Sequence, residues 1–507
     1  MRTLDIVVIV LYLLAMPAIG IMLSGKQRSS KDYFVGNRQM SWWVVTLSVV
    51  ATETSTLTVI SVPTIAYLGN VTYLQLAIGY LIGRVLVAFV LLPKYYAGGL
   101  VSAYGFLGSR FGGGMQGTAS VTFLFTRLLA DGLRLFATAI PVKVLLNAVG
   151  IDAAYWQIVV GIAIFSVIYT YVGGIKAVIW VDAIQMALYV AGAIIAVIFL
   201  ATQLPDGWFS AAAGDGKFQM FEFSSDLLTD QYAFITAVVG GAVFSMASHG
   251  ADQLMVQRLL ACKNVRDSQK AVIASGVVVF IQFALFLLVG SMLASFYNNA
   301  DPESLGLGQG DEIFSHFIVN ELPPGVSGLL IAGILAAAMS TISSSLNSLS
   351  TSTVSDLYKR FTKRELPDAT VLKQAKVWTL IWAGVFVVFA SFFAETTATD
   401  DPVVELALSI ASYTYGALLG AFFLGLLVRR ANQTDAIIAF LSTIAVTAYF
   451  VFGVTFLPEG AEEPLGLAFP WYTPLGVIVT LVVGGLLSLR HPAQPKEAPA
   501  EETVHSS

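Results

Sequence analysis

Charge is scarce in this chain, and so are cysteine and histidine. Only 12% of the 507 residues are Asp, Glu, Lys or Arg, where soluble domains carry about 25%. So few charges cannot clothe a water-bathed surface, which excludes an ordinary soluble protein. The single cysteine, Cys262, rules out an internal disulfide framework. Four histidines spread along the chain suggest no metal centre. His-Glu-x-x-His, Gly-x-Ser-x-Gly and phosphate-loop patterns are missing as well. Together these absences argue against an enzyme, and no nucleic-acid partner is expected. Short alternating segments of a membrane barrel are also lacking.

What the chain has instead is long apolar runs. It is 56% hydrophobic, with a mean hydropathy of +0.78. Its runs approach the ~20 residues that cross a bilayer as a helix. Thirteen spans are expected, at about 5–24, 42–68, 71–93, 117–149, 154–172, 177–202, 230–250, 271–297, 313–353, 374–396, 403–428, 433–456 and 471–489. The expected class is therefore an all-α polytopic membrane protein forming one transmembrane domain over 1–490. The stretches 117–149 and 313–353 are too long for one straight span and should include tilted or interfacial extensions. The remainder, 491–507, is rich in Pro, Ala and Glu and is expected to be a disordered cytoplasmic tail.

Loop charge orients these spans. One set of loops carries Lys26, Arg28, Lys31 and Arg38, then Lys94 and Arg110, Lys176, Arg258 with Lys263, Arg266 and Lys270, Lys359 to Arg364, and Arg429 with Arg430. The other carries Asp206, Asp215 and Asp226, then Asp301 to Glu312, Asp400 with Asp401, and Glu459 to Glu463, with Lys217 as the exception. The sets alternate as the positive-inside rule requires. The N-terminus is then outside and the C-terminus cytoplasmic, in a cell (inner) membrane. The first run has its basic residues after it and Asp5 near its start, so it reads as a retained helix rather than a signal peptide.

Ionisable groups inside spans are costly and mark function by default. Glu53 lies in SVVATETSTLTVISVP, 48–63, among four Thr and ahead of Pro63. A helix interrupted in this way can expose carbonyls to an ion. A polar seam between helices is the plainer alternative, though a seam has no need of Glu53. Arg127, Asp131 and Arg134 share one helical face, and one positive charge is left over there. It can face a substrate carboxylate or be balanced by Glu53. Alternatively, Arg127 snorkels to the surface and Asp131–Arg134 is a structural pair. In AAAMSTISSSLNS, 336–348, Ser340, Ser343 and Ser344 share a face, as do Ala337, Ser340 and Thr341. Such oxygen clusters suit a hard cation, and Asp182 on another helix can add a charge. Small-residue packing is the alternative.

Several stretches now resemble one family, the sodium/solute symporters. AAAMSTISSSLNS is similar to that family's sodium-site helix. YTYVGGIKAVIWVDAIQ, 169–185, resembles its Gly-Gly…Trp-x-Asp-x-x-Gln segment. KDYFVGNRQMSWW, 31–43, resembles its Asp-Tyr-Phe lead into the first core helix, and DQLMVQRLLACKN, 252–264, its Gln-x-x-x-Gln-Arg stretch. The resemblance implies a LeuT-type fold, two inverted five-helix repeats at about 42–202 and 230–428 with one extra helix before and two after. It implies a first sodium site of Ala51, Thr54 and Ala337 backbone oxygens with the Ser340 and Thr341 hydroxyls. It also implies a possible second sodium site of Ser340, Ser343, Ser344 and Asp182. Glu53 falls where the proline-transporter branch carries an aspartate.

Substrate-binding candidates are Glu53, Ser55, Thr58, Arg134, His249 and Asp252. The reading is a Na+-coupled symporter importing a small organic solute, carboxylate-bearing because of the intramembrane arginine, and acting as a monomer in the lipid bilayer. The alternatives are proton coupling through Glu53 and His249, uptake of a neutral sugar, or a sensor without flux.

Overall fold

The computed structural model describes residues 3–492 except 28, 148–150, 224–225, 309, 359–361, 363–366, 397–402 and 457–464. The basic loop at 359–364, the acidic loops at 400–401 and 459–463 and the tail beyond 492 lie outside the described residues, apart from Thr362. Helix follows helix: α1 (Thr3–Ser24), α2 (Trp42–Glu53), α3 (Thr56–Leu68), α4 (Leu74–Val90), α5 (Gly113–Asn147) and α6 (Tyr155–Gln203). Then come α7 (Phe234–Gly250), α8 (Gln253–Leu259), α9 (Val265–Phe296), α10 (Val326–Ser352), α11 (Asp368–Thr396), α12 (Val403–Leu427), α13 (Gln433–Gly453) and α14 (Tyr472–Ser488). Among the described residues the only sheet is a two-residue antiparallel pair, Thr455–Phe456 with Leu465–Gly466.

Among the described residues nine helices are long and apolar enough to cross a membrane, or up to eleven if each of two bent pairs counts as one span. The sequence expectation of thirteen differs at two places. It divides α6, 49 residues long, and it includes α5, whose 35 residues carry Arg127, Asp131 and Arg134. The division of α6 has a local cause. Gly174 takes φ 54° and ψ −149° inside it, a conformation closed to residues with a Cβ. A Cβ there would also lie 2.8 Å from the Tyr33 carbonyl oxygen. The expected stretch 313–353 is two elements, a short Ile313–Asn320 helix and α10, parted at Gly325.

α10 is the central helix. In its apolar window 89% of residues are buried, against 17% in α11, which faces outward. It packs on α6, α1 and α5. α4 and α7 also meet closely, through Gly79 and Gly83 one turn apart. A Cβ at Gly83 would come within 2.2 Å of the Ala242 carbonyl oxygen, so only glycine allows this approach.

Candidate functional site

Two helices break deep inside the molecule, and each opens one of the two halves expected from the sequence. α2 and α3 meet at 67°, and α7 and α8 at 66°. At the first break Thr54 and Ser55 are extended, with ψ 95° and 172°. The local sequence Thr-Glu-Thr-Ser-Thr explains this, since hydroxyl side chains compete for backbone groups and β-branched residues lose rotamer freedom in a helix. At the second break Asp252 caps α8, accepting from Leu254 N at 2.8 Å.

α10 crosses beside the first break. Ser340 Oγ lies 3.2 Å from the Ala51 carbonyl oxygen and 2.8 Å from Asp182 Oδ1. A serine has one hydroxyl proton, so it cannot serve both acceptors, and a cation among these oxygens would relieve the surplus. Thr341 Oγ1 donates to the Ala337 carbonyl oxygen at 3.1 Å one turn earlier. Thr54 Oγ1 accepts from Gln282 Nε2 at 2.7 Å. Ala51, Thr54, Ala337 and Ser340 are fully buried and Thr341 nearly so. The donors are carbonyls and hydroxyls, a set that fits a hard monovalent cation. Among the described residues no group of three or more His, Cys, Asp or Glu is placed to hold a metal, so the cluster does not suit a transition metal.

The second expected cluster assembles in part. Asp182 Oδ2 accepts from Ser48 at 2.9 Å and lies 3.5 Å from Ser344 Oγ. Ser343 instead turns back to the Ser340 carbonyl at 3.1 Å. Asp182 also has a partner that sequence reading misplaced. Arg258, counted there with a cytoplasmic loop, is fully buried and its guanidinium sits 3.2 Å from Asp182 Oδ2, bonding Ser344 as well. The negative charge expected to hold a second sodium ion is therefore already balanced. Further along α10, Asn347 Oδ1 and Thr351 Oγ1 accept from Gln257 Nε2 at 2.7 and 2.9 Å, which ties α10 to α8.

A cavity opens on the other side of the first break. Glu53, Ser55, Thr58, Arg134 and His249 line it, with Arg127, Tyr80, Phe244 and Tyr415. Two charged groups keep open surface here. The side chains of Glu53 and Arg134 are 17% and 15% exposed, whereas Arg84, Asp131, Arg127, Asp252, Asp182 and Arg258 are all at or below 4%. Arg134 is held by Asp131 at 3.3 Å, and its Nε has no hydrogen-bond partner. Glu53 pairs with Arg84, not with an arginine of α5. Arg84 went unnoticed in the sequence, although a lone arginine inside the apolar run GYLIGRVLVAFV was the signal. Arg84 also donates to Ser275 at 2.9 Å. His249 Nε2 stands 3.8 Å from Glu53, beyond hydrogen-bond reach, while Nδ1 meets Ser248 Oγ at 2.8 Å.

Asp252 departs from its expected role. It does not line the cavity; it bonds Arg127 and accepts from Tyr415 at 2.8 Å. Arg127 is correspondingly no snorkelling surface arginine but is buried between Asp252, Tyr415 and Asp131. The cause is the second break, which brings the N-cap residue of α8 against α5.

A cluster of oxygens at a helix break, beside a charged cavity inside a membrane-spanning bundle, defines an ion-coupled secondary transporter. The sodium:solute symporter family model matches residues 33–442. A sodium/sialic acid symporter, SiaT, of Proteus mirabilis is 32% identical over 87% of this chain and 90% of its own. The human sodium/iodide cotransporter is 28% identical over 90% of this chain and 71% of its own. A Na+-coupled sialic acid symporter solved in a substrate-bound outward-open state superposes with a TM-score of 0.85 at 26% identity, covering 97% of this chain and 99% of the other. Mhp1, a nucleobase-cation-symport-1 family transporter solved in a closed conformation, shares the fold alone, with a TM-score of 0.59 and 14% identity over 92% and 95% of the chains. The chain belongs to the sodium:solute symporter family, with the LeuT-type fold and sodium as coupling ion.

Proposed function

We propose that this symporter imports a small carboxylate-bearing solute, with Arg134 as the carboxylate's partner. The observation that carries this is Arg134, which lines the cavity together with Glu53, is held by Asp131 and keeps part of its side chain open. A carboxylate completes the guanidinium, while Glu53, Ser55, Thr58 and His249 receive hydroxyl or amino groups of the solute. Charge balance supports the reading. Arg84, Arg127, Arg134 and Arg258 are matched by Glu53, Asp131, Asp182 and Asp252. One sodium ion entering with one carboxylate keeps this low-dielectric region neutral. Relatives named for sialic acid, monocarboxylates and iodide have anionic solutes in common.

In the same reading Ala51, Thr54, Ala337, Ser340 and Thr341 hold the coupling ion. The Asp182, Ser343 and Ser344 set is a weaker second position because Arg258 already occupies its charge. Asp252 positions Arg127 rather than touching the solute. Sodium orders the first break, the solute binds next to it, and the α2/α3 and α7/α8 pairs rock together to change access. Each ligand raises the other's affinity by the same factor. The inverted repeats run over about 42–202 and 230–428, one domain spans 1–490 with thirteen crossings, and the protein works as a monomer in the cell membrane without an enzymatic step. Its N-terminus is outside and its C-terminus cytoplasmic.

Thermal unfolding of the purified protein in NaCl, against KCl at equal ionic strength, tests the ion. A screen of amino acids, sugar acids, short organic acids and neutral sugars in sodium then tests the solute. A carboxylate that stabilises wild type but not Arg134→Gln supports the proposal. Stabilisation by a neutral sugar alone overturns it.

A further inference from the structure

One face of the molecule carries a feature that solute transport does not use. A groove runs between α4, α12 and α14 at the end where these helices finish. It consists of two depressions that share Leu427 and Leu481. The upper part is walled by Val90, Phe423 and Val477, and the lower by Val482 and Leu486. The walls are apolar, and Leu427, Val482, Leu486 and Leu489 are each more than half exposed. From Val477 to Leu489 the groove follows α14 for about 18 Å at 1.5 Å per residue. That is close to the ~15 Å of hydrocarbon in one leaflet.

Positive charge sits at the lower mouth, where Arg429 and Arg430 line the depression; Lys94 lines the upper one, and all three are exposed. Among the described residues none of the three is paired with an acidic side chain. The nearest acid in the chain, Asp435, is otherwise engaged: it binds Asn432 N at 3.1 Å, capping α13, and meets His491 at 3.4 Å. Nor are the arginines needed to finish α12. Arg110 does that, donating to the carbonyls of Gly425, Val428 and Ala431 at 3.1, 2.9 and 3.3 Å. The chain thus spends one arginine to fix the turn and leaves the next two pointing at an apolar slot.

We propose that this groove binds an anionic phospholipid, its phosphate held by Arg429 and Arg430 and one acyl chain lying along α14. An apolar slot one leaflet deep under a pair of arginines fits a lipid better than any water-soluble anion, and basic pockets between membrane helices recognise acidic headgroups. The lipid would bridge α4 to the appended α14, so its expected effect is to stabilise their packing. The inference needs the membrane but not the direction in which the chain crosses it, and it is independent of the solute.

Native mass spectrometry and thermal unfolding of the full chain test it, with phosphatidylglycerol, phosphatidylcholine of the same acyl chains, and glycerol phosphate as probes. Phosphatidylglycerol should be retained and should raise the unfolding midpoint; phosphatidylcholine should do so weakly and glycerol phosphate not at all. Each basic residue near a bilayer is worth about fivefold in binding, so an Arg429→Gln/Arg430→Gln variant should bind phosphatidylglycerol about twenty-five-fold less tightly. Its sodium-specific stabilisation should be unchanged. Gly485→Phe adds a ring where a Cβ meets nothing within 4 Å, and it should weaken both lipids by filling the slot while leaving the unfolding midpoint without lipid unchanged. Equal retention of the two lipids, an unaffected double variant, or binding of glycerol phosphate as tight as that of phosphatidylglycerol overturns the proposal.

Discussion

The two broken helices bend by nearly the same angle, 67° and 66°, yet they end differently. At the second break the protein supplies its own closure. Asp252 caps α8, and Arg127 and Tyr415 surround its carboxylate. At the first, Ser55 stands at the start of α3 without capping any backbone N–H, and the Ala51 carbonyl shares a single serine proton with Asp182. A self-satisfied break is a fixed structural joint. A break with surplus oxygen is a place for an ion, and sodium is expected there and not at the second.

Breaking the second joint should give the largest effect. Asp252→Asn removes the main counter-charge of the buried Arg127, and an uncompensated buried charge costs about 3–5 kcal/mol. Stability measured by denaturant should fall by that order in KCl and NaCl alike. A loss seen in only one of the two salts would mean that Asp252 belongs to an ion site after all. Ser340→Ala should differ between the two salts. It removes one ligand of the first break and a buried hydrogen bond to Asp182, which costs about 1–3 kcal/mol in either salt, and in addition it abolishes the sodium-specific gain. That gain is about 2.7 kcal/mol at a hundredfold excess of sodium over its Kd. An unaltered sodium response in Ser340→Ala would sink the assignment of that cluster.

Arg134→Gln is next in size. A hydrogen bond to a charged group contributes about 1.5–3 kcal/mol, so carboxylate affinity should drop roughly ten- to a hundredfold in sodium. Because Arg134 is partly exposed and singly bonded to Asp131, folding stability should change little. Isothermal titration of wild type and variant separates the two quantities. Equal affinity in both would move the carboxylate to Arg84 or Arg127.

Much of this contrast was legible in the sequence, and the reasons for the misses are physical. Span lengths, the first break and the face shared by Ser340 and Thr341 follow from local rules, namely hydropathy, hydroxyl competition for backbone groups and the 3.6-residue turn. Glu53, Arg134 and His249 could be placed at the cavity because charge inside a span is costly wherever it sits. Which partner each charge takes is not local. Arg84 meets Glu53 across 31 residues and Arg258 meets Asp182 across 76, pairings that no periodicity encodes. Arg258 reads as loop charge because basic residues follow it, and only the 66° bend that tucks α8 inward reveals its burial. The same bend sets Asp252 against Arg127 and Tyr415.

The smallest expected effect sharpens the contrast most. Ser55 occupies the N-cap position of α3, where serine usually bonds the second or third N–H of its helix, and losing such a cap costs about 1 kcal/mol. Here no such bond exists. Ser55→Ala should therefore shift stability in KCl by no more than about 0.5 kcal/mol, the range of a substitution that breaks no specific contact. Ser55 also lines the cavity, so in sodium with a bound carboxylate the same variant should lose solute affinity severalfold. If Ser55→Ala instead costs a full cap in KCl, the first break closes itself as the second does, and the case for an ion there rests on Ser340 alone.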